Sequence, residues 1–380
     1  MEKLVLTLLN KTSQATLSRI SSASIINLLN DEVFITESDL ILSIVPPRDA
    51  IATAQRISKA FANLVSQLPS AEAAAAAPQT PEPKQKIFID LNAISPTTAF
   101  KISTFFPPSP SPSSSSSILF LDGGIIGPPP SFSPSTSTWI LPSIPISGPI
   151  PLSSTTTTTT TTTPSHLTPH LLSTLNLRPL FSSSSSSTSP IGLASTLKIS
   201  FASLTKGLTG LSILSISTAH RSGILSDLLD HLDTYSPNTN ALLQKGVTAM
   251  PPKAYRWVDE MREIANGFEA AGWGESSSEE VNDDDDDDGF SNTNETPKKP
   301  DDDGTGTVDV EADQKSFEDI IPLLRSTSKI FQGIADVYKF VSEATVLGDE
   351  ITENRKRGRD VWDVAECLKE GLERGKRVKK

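Results

Sequence analysis

Apolar residues follow two different patterns along this chain. Up to about residue 190 they come in short runs, at 4–9 (LVLTLL), 39–45 (DLILSIV), 86–91 (KIFIDL) and 118–122 (ILFLD). Runs of this length, closed by Pro, Asn or Ser, read as strands buried on both faces. Helix-compatible segments lie between them, from the end of the first run to about residue 29 and over 48–68, and 138–141 is a further short strand candidate. Strands alternating with helices predict a parallel α/β sheet. From residue 191 the period becomes helical and stays so. Residues 191–223 predict one long helix, with Leu193, Leu197, Phe201, Leu204, Leu208 and Leu211 as its apolar stripe. Beside that stripe runs a small or polar line, Ser195, Lys198, Ala202, Thr205 and Thr209. Gly207 and Gly210 each cost up to about 1 kcal/mol of helix propensity, which predicts another backbone packed close to them. Further helices are predicted near 227–235, 252–271, 317–347 and 359–372.

Between these segments lie stretches with little to bury. Residues 70–85 are an Ala/Pro/Glu linker, 155–163 a threonine run and 182–187 a serine run, all read as surface loops. The formal net charge is −12, but residues 275–313 alone carry 16 acidic residues and two lysines. The remainder is close to neutral, so bulk charge does not point to nucleic acid. The acidic run 283–288 reads as a solvated spacer, and the basic runs 355–359 and 374–380 as helix-end charges rather than nuclear signals. A single cysteine, Cys367, excludes an intrachain disulfide framework and a Cys-based zinc site. His166 and His170 have helical spacing but sit beside the threonine run, and no metal is assigned. No apolar run reaches the roughly 18 residues that span a bilayer, and the long helix is rich in Ser, Thr and Lys. The expectation is a soluble, cytoplasmic protein with no membrane partner.

Five stretches together resemble the β-hydroxyacid dehydrogenases, the group of 6-phosphogluconate and 3-hydroxyisobutyrate dehydrogenase. They are DLILSIVPPRDA (39–50), IFIDLNAISP (87–96), FLDGGIIGPPP (120–130), LKISFASLTKGLTGL (197–211) and PPKAYRWVDEM (251–261). Their wording is most similar to a largely fungal branch named for its 6-phosphogluconate-dehydrogenase-like C-terminal domain. The resemblance implies a Rossmann-like domain over 1–190, incomplete because its first strand is absent, then an all-α domain over 191–380 with a disordered acidic insert at 275–315. It implies an NAD(P)-dependent oxidoreductase of a hydroxyacid or related alcohol, and a homodimer joined through the helical domain.

The resemblance also assigns residues. Lys198 matches the catalytic lysine that shuttles the substrate hydroxyl proton, a role needing an amine made less basic by burial. Asn10, Lys11 and Thr12 match a turn whose cation pairs with a 2′-phosphate, favouring NADP over NAD. Val45, Pro46, Pro47 and Asn92 match cofactor-binding loops at strand ends. Gly123, Gly124 and Gly127 match the substrate loop, and Lys206, in a shared Thr-Lys-Gly wording, is a second substrate-binding candidate. Three positions depart from the pattern. The Gly-rich dinucleotide fingerprint is missing, and the expectation is that a strand-turn-helix unit of about 30 residues precedes Met1. Ile126 stands where a loop hydroxyl is usual, and Ala202 stands where an asparagine is usual, pointing to a different substrate. The alternative reading is an inactive, truncated homologue that acts through its dimerising helices.

Overall fold

The computed structural model describes residues 5–6, 14–28, 30–67, 85–107, 117–149, 169–181, 189–273 and 328–378. The linker, both homopolymer runs, the acidic segment, His166 and the Asn10-Lys11-Thr12 turn lie outside them.

The sheet half is built from five strands in the order β3-β4-β5-β8-β9: β3 (Leu40–Ser43), β4 (Lys86–Asp90), β5 (Ile118–Gly123), β8 (Ile144–Ser147) and β9 (Leu177–Pro179). The pairs β3–β4 and β4–β5 are parallel, but β8 runs antiparallel to β5 and parallel to β9. The predicted all-parallel sheet is therefore mixed. The reason is local: the chain leaves β5, forms a hairpin of β6 (Ser131–Ser133) and β7 (Thr138–Ile140), and returns directly beside the strand it left. The candidate strand 138–141 thus belongs to a two-stranded arm, with Phe132 packed edge-on to Trp139 at 5.7 Å between centroids. The first apolar run pairs with β2 (Ile26–Asn27) through β1 (Val5–Leu6) in a separate two-stranded parallel sheet. The helix expected to reach residue 29 ends earlier, as α1 (Gln14–Ser22).

Helices cover the two faces of the main sheet. The helices α2 (Asp31–Glu37), α3 (Pro47–Ser66) and α4 (Pro96–Ser103) close one apolar cluster over Ile41, Phe88, Ile94, Ile118 and Phe120. Leu171 and Leu172 of α5 (Pro169–Thr174) pack on a second cluster of Ile89, Leu121 and Ile146 on the other side. The unbroken apolar runs of β4 and β5 follow from this two-sided burial.

The helical half consists of α6 (Leu193–Arg221), α7 (Leu225–Tyr235), α8 (Pro237–Ala249), α9 (Ala254–Phe268), α10 (Lys329–Ala344) and α11 (Val361–Val378). Helix α6 packs against α8, α9, α10 and α11 at once. Its orientation inverts the expectation from the sequence. The buried face is the small one, Ala194, Ser195, Ile199, Ala202, Ser203, Gly207, Thr209, Gly210, Ile213 and Ile216. Leu197, Phe201 and Leu211 are exposed, and Leu204 is 75% exposed. A helix surrounded by neighbours must let them approach, so small residues face the bundle and the leucines are left outside. The glycines serve that approach within the chain: a Cβ at Gly210 would lie 2.5 Å from Ile334 Cγ2 of α10, while Gly207 has only ordinary contact with Ile334 Cδ1 at 3.9 Å. The close neighbour is a side chain, not another backbone.

The Ser, Thr and Lys content of α6 does not keep it below the bilayer-spanning mark as expected. By length and composition it does reach the mark for crossing a bilayer, with a mean hydropathy of 1.3 over 18 residues, half of which are buried inside the protein.

Candidate active site

The carboxyl end of β5 meets the start of α6, and three buried polar groups hold that junction together. Asp122, at the end of β5, is fully buried. Its carboxylate accepts hydrogen bonds from Ser195 Oγ at 2.5 Å, Ser195 N at 2.9 Å, Gly192 N at 3.1 Å and Ser147 Oγ at 2.9 Å. Ser147 Oγ in turn accepts from Ala194 N at 2.9 Å. The N–H groups that open a helix have no partner inside it. Here β5 and β8 supply the acceptors, so the first turn of α6 is bolted to the sheet. Burial raises the pKa of Asp122, and the bonds from Ser195, Ser147 and Gly192 oppose the rise.

One turn further on, Lys198 leaves this fixed start. It is half-buried, and its Nζ donates to the carbonyl oxygen of Ile125 in the loop after β5. Its stem lies against Gly124, where a Cβ would come 3.0 Å from Lys198 Cβ, so any larger residue would press on the lysine stem. Desolvation, with Arg256 as a second cause, lowers the Lys198 pKa. Gly123 is buried at the strand end against Leu91, and Gly127 turns the loop with φ +121°. Lys198, Gly123, Gly124 and Gly127 are thus brought together.

Asn92 follows β4 and is 3% exposed. Its Oδ1 accepts from Val45 N at 2.6 Å, and its Nδ2 donates to Ser43 Oγ at 3.0 Å and Asp90 Oδ2 at 2.8 Å. Both polar atoms are spent inside the protein, so Asn92 braces the Val45-Pro46 loop from behind. Asp90 also accepts from Asn92 N at 2.9 Å. Burial pushes its carboxyl up to about 7 against those bonds, with a further push from Asp122, its register partner on β5. Pro47 is buried and opens α3, while Val45 and Pro46 are partly exposed beside the open Ile44.

Lys206 is in a different setting. Its ammonium pairs with Glu260 of α9, each side chain 13% exposed, and lies 5.5 Å from the centroid of the Trp257 ring. Tyr338 of α10 donates to its backbone carbonyl at 2.5 Å. Burial, then Lys198, Arg256 and Lys253, push its pKa well down.

A further tie was not legible in the sequence. Glu263 of α9 accepts from Ser95 N at 2.7 Å and Thr98 Oγ1 at 2.8 Å, joining the helical half to the start of α4. Asp122, Ser147, Ser195 and Glu263 all escaped prediction. The only signal was an aspartate closing an apolar strand run, and its partners lie up to 73 residues away in the chain.

Residues 219–284 match the family described as "Domain of unknown function (DUF1932)". No curated protein matches the chain. Among solved structures, a conserved protein of unknown function, described as structurally similar to 3-hydroxyacid dehydrogenases, is 19% identical, with 70% of this chain and 81% of that one covered and a TM-score of 0.40. A Mycobacterium tuberculosis 3-hydroxyisobutyrate dehydrogenase with L-serine is 13% identical, with 69% and 78% covered and a TM-score of 0.38. An Aspergillus terreus reductive aminase in complex with NADPH and ethyl-5-oxohexanoate is 14% identical, with 70% and 79% covered and a TM-score of 0.37.

Proposed function

We propose that the chain is an NAD(P)-dependent oxidoreductase acting on a hydroxyacid or related alcohol, with Lys198 as its acid/base. The observation that carries this reading is Lys198 itself: an amine of lowered basicity, reaching from a sheet-anchored helix to the loop at the end of a parallel strand. An acid/base group gains efficiency as its pKa approaches the working pH. In its neutral form the amine takes the substrate hydroxyl proton during oxidation; as an ammonium it returns that proton to the carbonyl oxygen during reduction.

A nicotinamide cofactor would accept or supply the hydride. The strand ends fit such a ligand, since flat dinucleotides lie across the carboxyl ends of parallel strands. Because Asn92 is engaged internally, contact falls to the ledge of Ile44, Val45 and Pro46 that it braces. Asn10, Lys11 and Thr12 keep their assignment to the ribose-phosphate end on resemblance alone, and so does the preference for NADP. We take the sheet half, 1–190, and the helical half, 191–380, as the two domains of this enzyme.

We infer further that the exposed face of α6 is covered by a second copy of the chain. Leu197, Phe201, Leu204, Leu211 and Leu214 lie on it with no charged side chain among them. The face continues into an open apolar groove of about 630 Å³ between Leu214, Ile224 and Leu228. An exposed apolar face of this kind marks a contact surface. Leu204→Glu should then yield monomers in light scattering where the wild type yields dimers.

The test of the enzyme reading is Lys198→Ala, assayed with NADPH and NADH against a panel of short hydroxyacids, ketoacids and alcohols. Loss of turnover with cofactor affinity unchanged supports the assignment, and full turnover in the variant removes Lys198 from the chemistry.

A further inference from the structure

Both ends of the Lys198 side chain are referred to one buried carboxylate. At the backbone end, Asp122 accepts from Ser195 Oγ at 2.5 Å, Ser195 N at 2.9 Å and Gly192 N at 3.1 Å. Ser195 lies three residues before Lys198, so the two project from one side of α6. At the ammonium end, the acceptor is the carbonyl of Ile125, three residues after Asp122 in the chain. Little slack separates the two. A Cβ at Gly123 would meet Leu91 Cδ2 at 2.7 Å and the Asp90 carbonyl oxygen at 3.1 Å, and one at Gly124 would meet the lysine stem at 3.0 Å. Backbone bonds on either side hold the Ile125 carbonyl. Gly124 N donates to Pro145 O at 3.1 Å, and Ile126 and Ser143 exchange two bonds of 2.8 Å.

Capping the helix would need less than this. The free N–H groups of a first turn need only acceptors, and Ser147 Oγ supplies one to Ala194 N at 2.9 Å. The Ser195 hydroxyl adds a bond across the junction, whereas Ser203, Ser212 and Ser215 spend theirs on carbonyls of α6 itself. Ser147, the register partner of Asp122 on β8, closes the ring by donating to the same carboxylate at 2.9 Å. All four donors are neutral, and among the described residues no cation lies within ion-pair distance of Asp122. An ionised carboxylate accepts from every side and can serve them all at once. A carboxamide of the same shape cannot, because its nitrogen only donates.

We infer that Asp122 is a positioning residue: through Ser195 and the Gly123-Gly124-Ile125 loop it fixes where the Lys198 amine stands and how far it is kept from water. The inference rests on the enzyme reading only for the use made of Lys198. The placement of the amine is a property of the chain without any ligand.

The test is competitive acetylation of the full-length chain as a function of pH, with Lys198 followed by peptide mass spectrometry, beside turnover and NADPH binding. In the wild type the labelling midpoint of Lys198 should lie below that of an ordinary lysine, about 10.4. Ser195→Ala and Asp122→Asn should each raise that midpoint by about one unit, a roughly tenfold change in basicity, and lower kcat with NADPH affinity unchanged. Asp122→Asn also removes a negative charge, which alone would lower the midpoint, so a rise there reports placement. Arg256 of α9, the charged neighbour that also acts on Lys198, is the same in every variant. Ile213→Ala, which loosens α6 further along, should leave the midpoint where it is and so separates placement from general loss of stability. If Asp122→Asn does not fold, Ser195→Ala decides alone. An ordinary midpoint in the wild type, an unmoved or lowered one in the folded variants, or an equal rise in Ile213→Ala overturns the inference. If the midpoints rise as expected but neither NADPH nor NADH binds or reacts, the positioning role stands and the oxidoreductase reading falls.

Discussion

Lys198 and Lys206 lie on one helix, two turns apart, and both are made less basic by burial, yet their surroundings differ in kind. Lys198 ends on a backbone carbonyl of a loop, and among the described residues it has no carboxylate within ion-pair distance. Lys206 ends on Glu260, against an indole ring, deep between α6, α9 and α10. A carbonyl can be exchanged for a substrate oxygen without stranding a charge. Removing Lys206 from Glu260 would leave a buried carboxylate alone, which is far more costly. The same residue type is thus chemically available at one end of the helix and structural in its middle.

The sharpest separation of the two is a pair of alanine variants measured for both turnover and stability. Lys198→Ala should reduce turnover by about 10²–10⁴-fold, the usual worth of an acid/base group, with little change in thermal midpoint. Lys206→Ala should instead destabilise by about 3–5 kcal/mol, as for other broken buried pairs. Replacing Lys206 and Glu260 together by apolar residues should recover much of that loss, and equal losses for the single and double variants would mean that the pair is not coupled.

The two faces of α6 separate in the same way, at a smaller scale. Ile213→Ala on the buried face should cost about 2–4 kcal/mol in denaturant unfolding. Leu204→Ala on the open face should cost roughly 0.5 kcal/mol or less at concentrations where the chain is monomeric. A large loss at Leu204 in dilute protein would place it in the core instead.

A separate comparison, by pH, concerns the buried aspartates at the ends of β4 and β5. Asp90 is raised from 3.8 to about 7, so between those values the unfolded chain has released a proton that the folded chain still holds. Stability from this group is therefore present at low pH and is lost as pH rises through that window. Asp90→Asn should flatten the fall in thermal midpoint between about pH 4 and pH 7, relative to wild type. An unchanged slope would show that Asp90 is already ionised at pH 4.

Local pattern carried much of the architecture. The runs at 39–45, 86–91 and 118–122 became β3, β4 and β5 in parallel register because short apolar runs buried on both faces have few other solutions. The long helix appeared within two residues of its expected ends, since nothing interrupts its helical period. Lys198 and the Gly124 loop were readable through a shared wording with known dehydrogenases, and they do meet. What local pattern could not carry was direction. Periodicity counts the apolar positions on α6 but says nothing of how many neighbours crowd it, and the crowding turned its small face inward. The return of β8 beside β5, the role of Asp122 as a cap for a helix 70 residues later, and the division of labour between Lys198 and Lys206 all depend on partners far apart in the chain. Those were settled only when the sheet and the bundle closed on one another, because burial and charge pairing are properties of what surrounds a residue rather than of the residue itself.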